Sequence, residues 1–441
     1  MADSRRSRSA AALVAGCLFS FVVLGLPGGM LGVAWPALRH NFGQPLASLG
    51  ELLIALLCGY LAVSSTAGWT LRRFGTSAVL TGSAVTGCAG AGLFAVTPWW
   101  AGLVAGALLL GAAGGGLDAA LNTVVALAGR TRLMNVLHAA YGVGAALGPL
   151  GVTAALAAGT WRAAYTGLFA LEAVLAAAWT GLRGAFPPLP RHDGPGDGSG
   201  QRERRRVRGS DRRLRAALWL SLAVFFCYTG LEVAVASWSA SFLRGPGGLS
   251  AAPAGFAVFA YWAGLTAGRI GAAGLGSRLP AHYAVRAGVA GALAGGAVVW
   301  ADVAPAATVA GLVLLGVSLG PVFPALVNLT PGRLGTTVAV RAIGWQIAAA
   351  GVGGTSLSAL AGVLLQFAGL ASFGPALVVL AIVLGCLNIL VERAAPAGGA
   401  ARAAAGATRS EASAAAPAEA DGAGPAGTSG VTSGTRSRRR R

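Results

Sequence analysis

Residues 114–125 read GGGLDAALNTVV and place one carboxylate, Asp118, and one amide, Asn122, in a stretch from Phe74 to Gly129 that holds no other charge. Residues four apart share a face of a helix, so the two side chains form one polar spot. A carboxylate in hydrocarbon costs about 2.5–3.5 kcal/mol on insertion scales, so it turns toward protein or an aqueous cavity and is a functional candidate by default. The alternative use is a hydrogen bond that merely ties two helices together. In the functional reading, a carboxyl that alternates between wet and dry surroundings takes up and releases a proton.

Other polar groups recur in apolar surroundings. NVLHAAYGVGAALGPLG spaces Asn135, His138 and Tyr141 (or Gly142) along one helical face, and a helix antiparallel to that of Asp118 brings His138 to the level of Asn122. GLEVAVASW sets Glu232 near the middle of a further apolar run and Trp238 farther out. An acid and an indole can hold a polar ring by hydrogen bonding and stacking, although an interfacial belt is the more frequent place for tryptophan. Asn328 and Gln346 complete the candidates. Glu51 at a helix end and Glu172 within a helix are expected to be structural, and Arg269, at the end of its apolar run, is expected to snorkel to the surface.

The elements that must carry these groups follow from composition. The chain has 441 residues, 55% hydrophobic and 11% charged, with mean hydropathy +0.68, which excludes an ordinary water-soluble globule. A membrane span needs about 20 apolar residues at about 1.5 Å rise each. No charge falls between Arg8 and Arg39, Glu51 and Arg72, or Arg244 and Arg269, and each run predicts one span. Two longer runs are divided by TPWW at Thr97 to Trp100 and by GLASFGP at Gly369 to Pro375. Segments near 134–158, 163–183, 217–242, 285–301 and 305–329 bring the expectation to twelve. The first run is long enough to be a retained span rather than a signal peptide.

The predicted organisation is an all-α integral membrane protein of two six-helix bundles, 11–183 and 217–392. Residues 1–10 form a cytoplasmic N-terminus, 184–216 a cytoplasmic linker and 393–441 a disordered cytoplasmic tail. All 33 basic residues are arginine. They gather at Arg72 and Arg73, Arg130 and Arg132, the run from Arg183 to Arg215, Arg278 and Arg286, and Arg333 and Arg341, leaving Arg39, Arg162 and Arg244 for the other side. This bias puts both termini in the cytoplasm. The linker's QRERRRVRGSDRRLR and the terminal RSRRRR fit anionic lipid headgroups better than nucleic acid.

The halves share a pattern. TAG at Thr66 to Gly68 recurs at Thr266 to Gly268, VAGALLLGAAGG from Val104 aligns with VAGLVLLGVSLG from Val309, and GVG at Gly142 to Gly144 returns at Gly351 to Gly353. A duplicated unit predicts a solute site between two bundles near the midplane. Small-residue seams such as Gly102/Gly106 and Gly144/Gly148 let helices approach closely where lipid supplies no hydrophobic force. The five cysteines show no CxxC spacing, so neither a disulfide framework nor a metal site is expected. GVSLG at Gly316 to Gly320 formally fits a nucleophile elbow, but it lies within an apolar helix rather than at a strand-to-helix turn. HExxH, Walker A and EF-hand patterns are absent, so an enzyme is not expected and no cofactor is implied.

With these motifs the chain resembles the major facilitator superfamily over residues 11–392. GGGLDAALN, NVLHAAYGVGAALGPLG and LGPVFPALVNLTPGR are similar to its fucose permease-like branch, in which a helix-four acid precedes an asparagine by four positions. The resemblance implies alternating access, proton symport of a sugar-like solute, and a coupling or binding role for Asp118 and Asn122. The chain departs from the pattern in three places. Gly32 stands ahead of Pro36 where the branch has a second acid, a role Glu232 could fill. In GWTLRRFG, with Gly68, Arg72, Arg73 and Gly75 as the expected gating loop, Arg72 occupies the acid's position. GAALGPLG half-matches the helix-five motif of drug antiporters. The expected function is a monomeric transporter of the cytoplasmic membrane, carrying a small polar solute with protons. Drug efflux is the rival, and a non-transporting receptor or scaffold the third class.

Overall fold

The computed structural model describes residues 2–127, 131–183, 212–245 and 248–394. Arg130 and most of the basic linker, residues 184–211, lie outside the described residues, as does the tail from residue 395 onward. The N-terminal half consists of α1 (Ala2–Asn41), α2 (Leu49–Phe74), α3 (Thr76–Val96), α4 (Trp100–Leu127), α5 (Thr131–Ala157) and α6 (Arg162–Gly181). The C-terminal half consists of α7 (Arg212–Arg244), α8 (Ala251–Leu275), α9 (Ala281–Ala301), α10 (Pro305–Leu319), α11 (Val322–Leu334), α12 (Thr336–Ala368) and α13 (Phe373–Ala394).

Eleven spans among these residues are long and apolar enough to cross a membrane, and α10 and α11 together make one of them, Pro305–Leu334. The short break between them falls at Gly320 and Pro321, where proline has no N–H to continue the ladder. The twelfth helix, α8, has 25 residues; its glycines, Pro253, Tyr261 and Trp262, together with Arg269, lower its hydropathy. The TPWW turn separates α3 from α4 as expected. The α2–α3 turn is made by Gly75 at φ +81°, and the turn after α12 by Gly369 at φ +83°; both conformations need a residue without Cβ. Arg162 has a local function: its guanidinium donates to the carbonyls of Ala95 (3.0 Å) and Thr97 (2.8 Å), closing the C-terminal end of α3.

Within the N-terminal half α1 packs beside α5 and α2 beside α4; in the C-terminal half α7 packs beside α12 and α8 beside α10. Glycine makes these seams. A Cβ on Gly111 or Gly115 would strike the carbonyls of Leu56 and Tyr60, and one on Gly59 would strike that of Leu108. The other half repeats the arrangement: Gly316 faces the Tyr261 carbonyl, Gly320 that of Leu265, and Gly264 that of Val313. Every residue of this second set is its counterpart's number plus 205 (316 minus 111). The α3–α4 contact between Gly90 and Gly106 recurs at the same offset as Gly295 and Gly311 in α9 and α10. The duplication is therefore a packing repeat, and it corrects one sequence match. Thr66 to Gly68 and Thr266 to Gly268 differ by 200 positions, five residues out of register with the helices that carry them, so that match is coincidence. The two GVG segments do correspond, since Gly144 packs on the Val22 carbonyl of α1 and Gly353 on the Phe226 carbonyl of α7.

The bundles touch along α1–α7, α5–α8 and α2–α12. At the end far from the chain termini, Ala47 N donates to Gln366 Oε1 (2.9 Å), Gly50 meets Ala359, Gly255 meets Thr153, and Gly32 lies on the backbone of Ala236 and Ser237. At mid-depth Gly142 meets Thr266 and Gly351 meets Leu57. Toward the end that carries the termini, α5 exposes Val136 and His138, α8 exposes Ile270, α12 exposes Trp345 and Ile347, and Gly271, Gly274 and Gly344 have no neighbour. The bundles are thus closed on the far side and diverge on the terminus side.

Candidate functional site

Asp118 lies on α4, one turn beyond Gly115, one of the glycines that bring α2 close. Because Gly115 has no side chain, the Tyr60 backbone lies directly against it, and the Tyr60 hydroxyl then reaches Asp118 Oδ2 at 2.6 Å. Asn122 Nδ2 donates to the other oxygen, Oδ1, at 2.7 Å. Both bonds are in the short range of charge-assisted hydrogen bonds. All three side chains are half-buried, so the carboxyl is neither turned into dry packing nor fully in water. Asn122 Oδ1 is buried and has no donor among the described residues, an unpaired acceptor beside the acid.

Helix α5 forms the adjoining wall. His138 is exposed, packs edge-on against Phe21 at 5.6 Å between ring centroids, and stands within electrostatic range of both Asp118 and Arg269. Tyr141, one turn further, stands within range of Asp118, Glu232 and Arg269, and its hydroxyl lies over Gly28 of α1. The side chain of Asn135 lies outside the described residues.

Across the gap Glu232 of α7 meets Arg269 of α8. Arg269 Nη2 stands 3.5 Å from Glu232 Oε1, and Nε donates to the Gly320 carbonyl at 3.3 Å. This corrects the snorkelling expectation for Arg269. Helix α8 continues to Leu275, so the arginine sits six residues inside the helix and finds its counter-charge there rather than at the surface. Tyr261 donates to the Glu232 backbone carbonyl (3.0 Å) and Tyr228 to the Leu319 carbonyl (3.0 Å), fixing the floor beneath the pair.

Two further candidates are placed in packing contacts. Trp238 is fully buried, its Nε1 donates to the Ser358 carbonyl at 2.9 Å and its ring fills the space over Gly362. It packs α7 on α12 and has no free face for a solute ring or a headgroup. Gln346 is fully buried between Thr330, whose hydroxyl donates to its Oε1 (3.1 Å), and Ser221, to which its Nε2 donates. It joins α12, α11 and α7. Asn328 is exposed on α11 and is not brought to the acids by any described contact. In the gating loop Gly68, Arg72, Arg73 and Gly75 are all exposed. Arg73 lies over the Phe74 ring at 5.8 Å, and Arg72 has no ion pair among the described residues.

The remaining acids have other roles. Glu51 accepts from Ser48 (2.8 Å) and from the Trp100 indole (2.9 Å) at the far end. Glu172 is buried against Gly87, away from the gap. GVSLG lies in α10 and its following turn, without the strand a nucleophile elbow requires. Among the described residues no three His, Cys, Asp or Glu side chains gather to hold a metal ion, and the five cysteines are unpaired.

Sequence reading misses Tyr60, Tyr228, Tyr261 and the Arg269 pairing. Tyrosine is scarce, six in the whole chain, and three of the six lie in contact with the two acid centres. That scarcity is the signal the sequence offers. Which helix each tyrosine faces is not written locally.

No curated protein sequence matches the chain significantly. Among solved structures, a D-xylose-proton symporter superposes with TM-score 0.68 at 13% identity, over 85% of this chain and 97% of its own. A single-residue mutant of the nucleoside transporter NupG gives 0.68 at 14%, over 85% and 99%. A bacterial homologue of the human lysosomal transporter Spinster, inward-facing and unoccupied, gives 0.67 at 13%, over 88% and 97%. At such identities these structures establish the fold alone. The family model for the Major Facilitator Superfamily matches residues 17–355, so by sequence as well as by fold this chain belongs to the Major Facilitator Superfamily.

Proposed function

We propose that the chain moves a small polar, sugar-like solute across the cytoplasmic membrane by alternating access, with protons carried on Asp118 in symport. Family membership makes it a secondary transporter rather than an enzyme. One observation supports the finer reading most: Asp118 is a half-buried intramembrane carboxyl held by two neutral donors, Tyr60 and Asn122, beside an unpaired acceptor. Neutral donors hold the carboxyl in place, yet a proton can arrive without breaking a salt bridge. His138 and Tyr141 would line the path between this acid and the opposite bundle. In this reading both termini are cytoplasmic, the open side is the cytoplasmic side, the molecule acts as a monomer, and its arginine-rich segments rest on anionic lipid.

The antiporter-like GAALGPLG has a packing use that needs no efflux role, since Gly144 and Gly148 press on the Val22 and Leu26 carbonyls of α1. The deciding experiment is reconstitution in liposomes with an imposed proton gradient, after a thermal-shift screen of sugars, polyols and cationic drugs. Asp118→Asn is expected to abolish uphill accumulation of the solute while exchange across the membrane persists. Undiminished accumulation by that variant rejects the assignment.

A further inference from the structure

We propose that Arg269 is a binding group for an anion, and that the solute is a small hydroxylated monocarboxylate, such as a sugar acid, rather than a neutral sugar. This rests on the transport reading above and narrows its substrate class. The ground is the geometry of the Arg269–Glu232 pair. A guanidinium offers five N–H donors in a rigid fork, and its usual pairing with a carboxylate is bidentate at about 2.7–2.9 Å. Here Glu232 meets it through one oxygen at 3.5 Å, and a second donor goes to a backbone carbonyl at 3.3 Å. The Tyr228 hydroxyl stands beside both partners; it donates to the Leu319 carbonyl and can accept from one guanidinium N–H, which still leaves the fork without a bidentate carboxylate. A pair of that quality repays little of the cost of taking two charges out of water.

The arginine is also the more accessible partner: its side chain keeps 29% of its surface exposed, against 12% for Glu232. On the facing wall stand His138 and Tyr141, both within electrostatic range of Arg269, with Asp118 and the buried, unpaired Asn122 oxygen behind them. A solute bridging the gap therefore meets a permanent cation at one end and hydroxyl-binding groups at the other. A neutral sugar leaves the fork as loosely paired as before. A carboxylate completes it with two parallel bonds, while its hydroxyls meet Tyr141 and His138. Charge also balances: Arg269 and Glu232 sum to zero, so one added anion together with one proton on Asp118 leaves the site's net charge unchanged. Uptake of the anion thus favours uptake of the proton, which is a physical basis for coupling.

The test uses the purified full-length protein in detergent, with glucuronate and gluconate as probes, glucose as neutral counterpart and sodium chloride as ionic control. Both acids should raise the melting temperature saturably and glucose should not. Arg269→Gln should weaken binding of the acids at least about tenfold, and Arg269→Lys should recover part of it, because a point charge replaces the fork. Glu232→Gln should tighten binding by removing the internal competitor, an outcome that a purely structural ion pair does not produce. If Arg269→Gln fails to fold, the double variant Arg269→Gln/Glu232→Gln removes both partners together; it should fold and still lose the acids. Equal shifts by glucose and glucuronate, no shift by either acid, or wild-type affinity in a folded Arg269→Gln protein overturns the proposal. Uphill, Asp118-dependent uptake of a neutral sugar sinks this inference and leaves the transport reading standing. Carboxylate binding without any uphill flux does the reverse.

Discussion

The two acids near the centre of this molecule are held in opposite ways. Asp118 in the N-terminal bundle takes two short hydrogen bonds from neutral groups, and no cation among the described residues pairs with it. Glu232 in the C-terminal bundle faces a guanidinium across a long contact. A carboxyl among neutral donors can exchange a proton without breaking an ion pair, whereas one that faces a half-buried arginine cannot. The frame that carries the two sites is duplicated, because the α2–α4 glycine seam repeats in α8–α10 at a fixed offset, but the two acids do not occupy equivalent positions in it. The functional asymmetry therefore arises from a handful of side chains placed on a duplicated frame.

The sharpest way to break the comparison is to neutralise each acid in turn. Asp118→Asn should eliminate proton-driven accumulation, whereas Glu232→Gln should leave accumulation coupled and alter solute affinity instead; flux assays in liposomes with and without a proton gradient separate them. Loss of coupling in both variants would mean that the acids form one relay.

The seams allow a test of equivalence. Gly115→Ala and Gly320→Ala each drive a Cβ into a backbone carbonyl, of Tyr60 and Leu265 respectively, and each should cost about 1–3 kcal/mol by overpacking. Only Gly115→Ala should also impair coupling, because it moves Tyr60 relative to Asp118. Detergent melting curves and flux measurements on both variants decide this.

Tyr60→Phe removes one hydroxyl and should cost about 1 kcal/mol of stability, with a shift in the pH dependence of uptake because the carboxyl loses a donor. An unchanged pH profile would make Tyr60 structural. The smallest effect is expected at Trp238→Phe, which gives up one buried N–H bond to Ser358 and should lower stability by about 0.5–1.5 kcal/mol without changing solute preference. A change of preference would return Trp238 to the site.

Much of this is legible along the chain. Long apolar runs must become helices in lipid, because each backbone group has to find its partner within its own segment. Asp118 and Asn122 are readable because their relation is local, one helical turn. Arg269 is misleading in the sequence because its run of charge-free residues ends there, whereas the helix itself continues to Leu275. Trp238 and Gln346 mislead for another reason: polar residues in a span can satisfy themselves on a neighbouring helix as readily as on a solute.

The sequence by itself determined the spans, the turns at Gly75 and Gly369, and the polar pair on one helix face, since each depends on residues within a few positions of one another. Only the tertiary structure decided that Tyr60 meets Asp118, that Glu232 meets Arg269 and that the bundles part on the terminus side. Those facts depend on how helices distant in the chain are rotated against one another, and the rotation is set by the fit of glycine grooves to backbone ridges, which hydropathy does not encode.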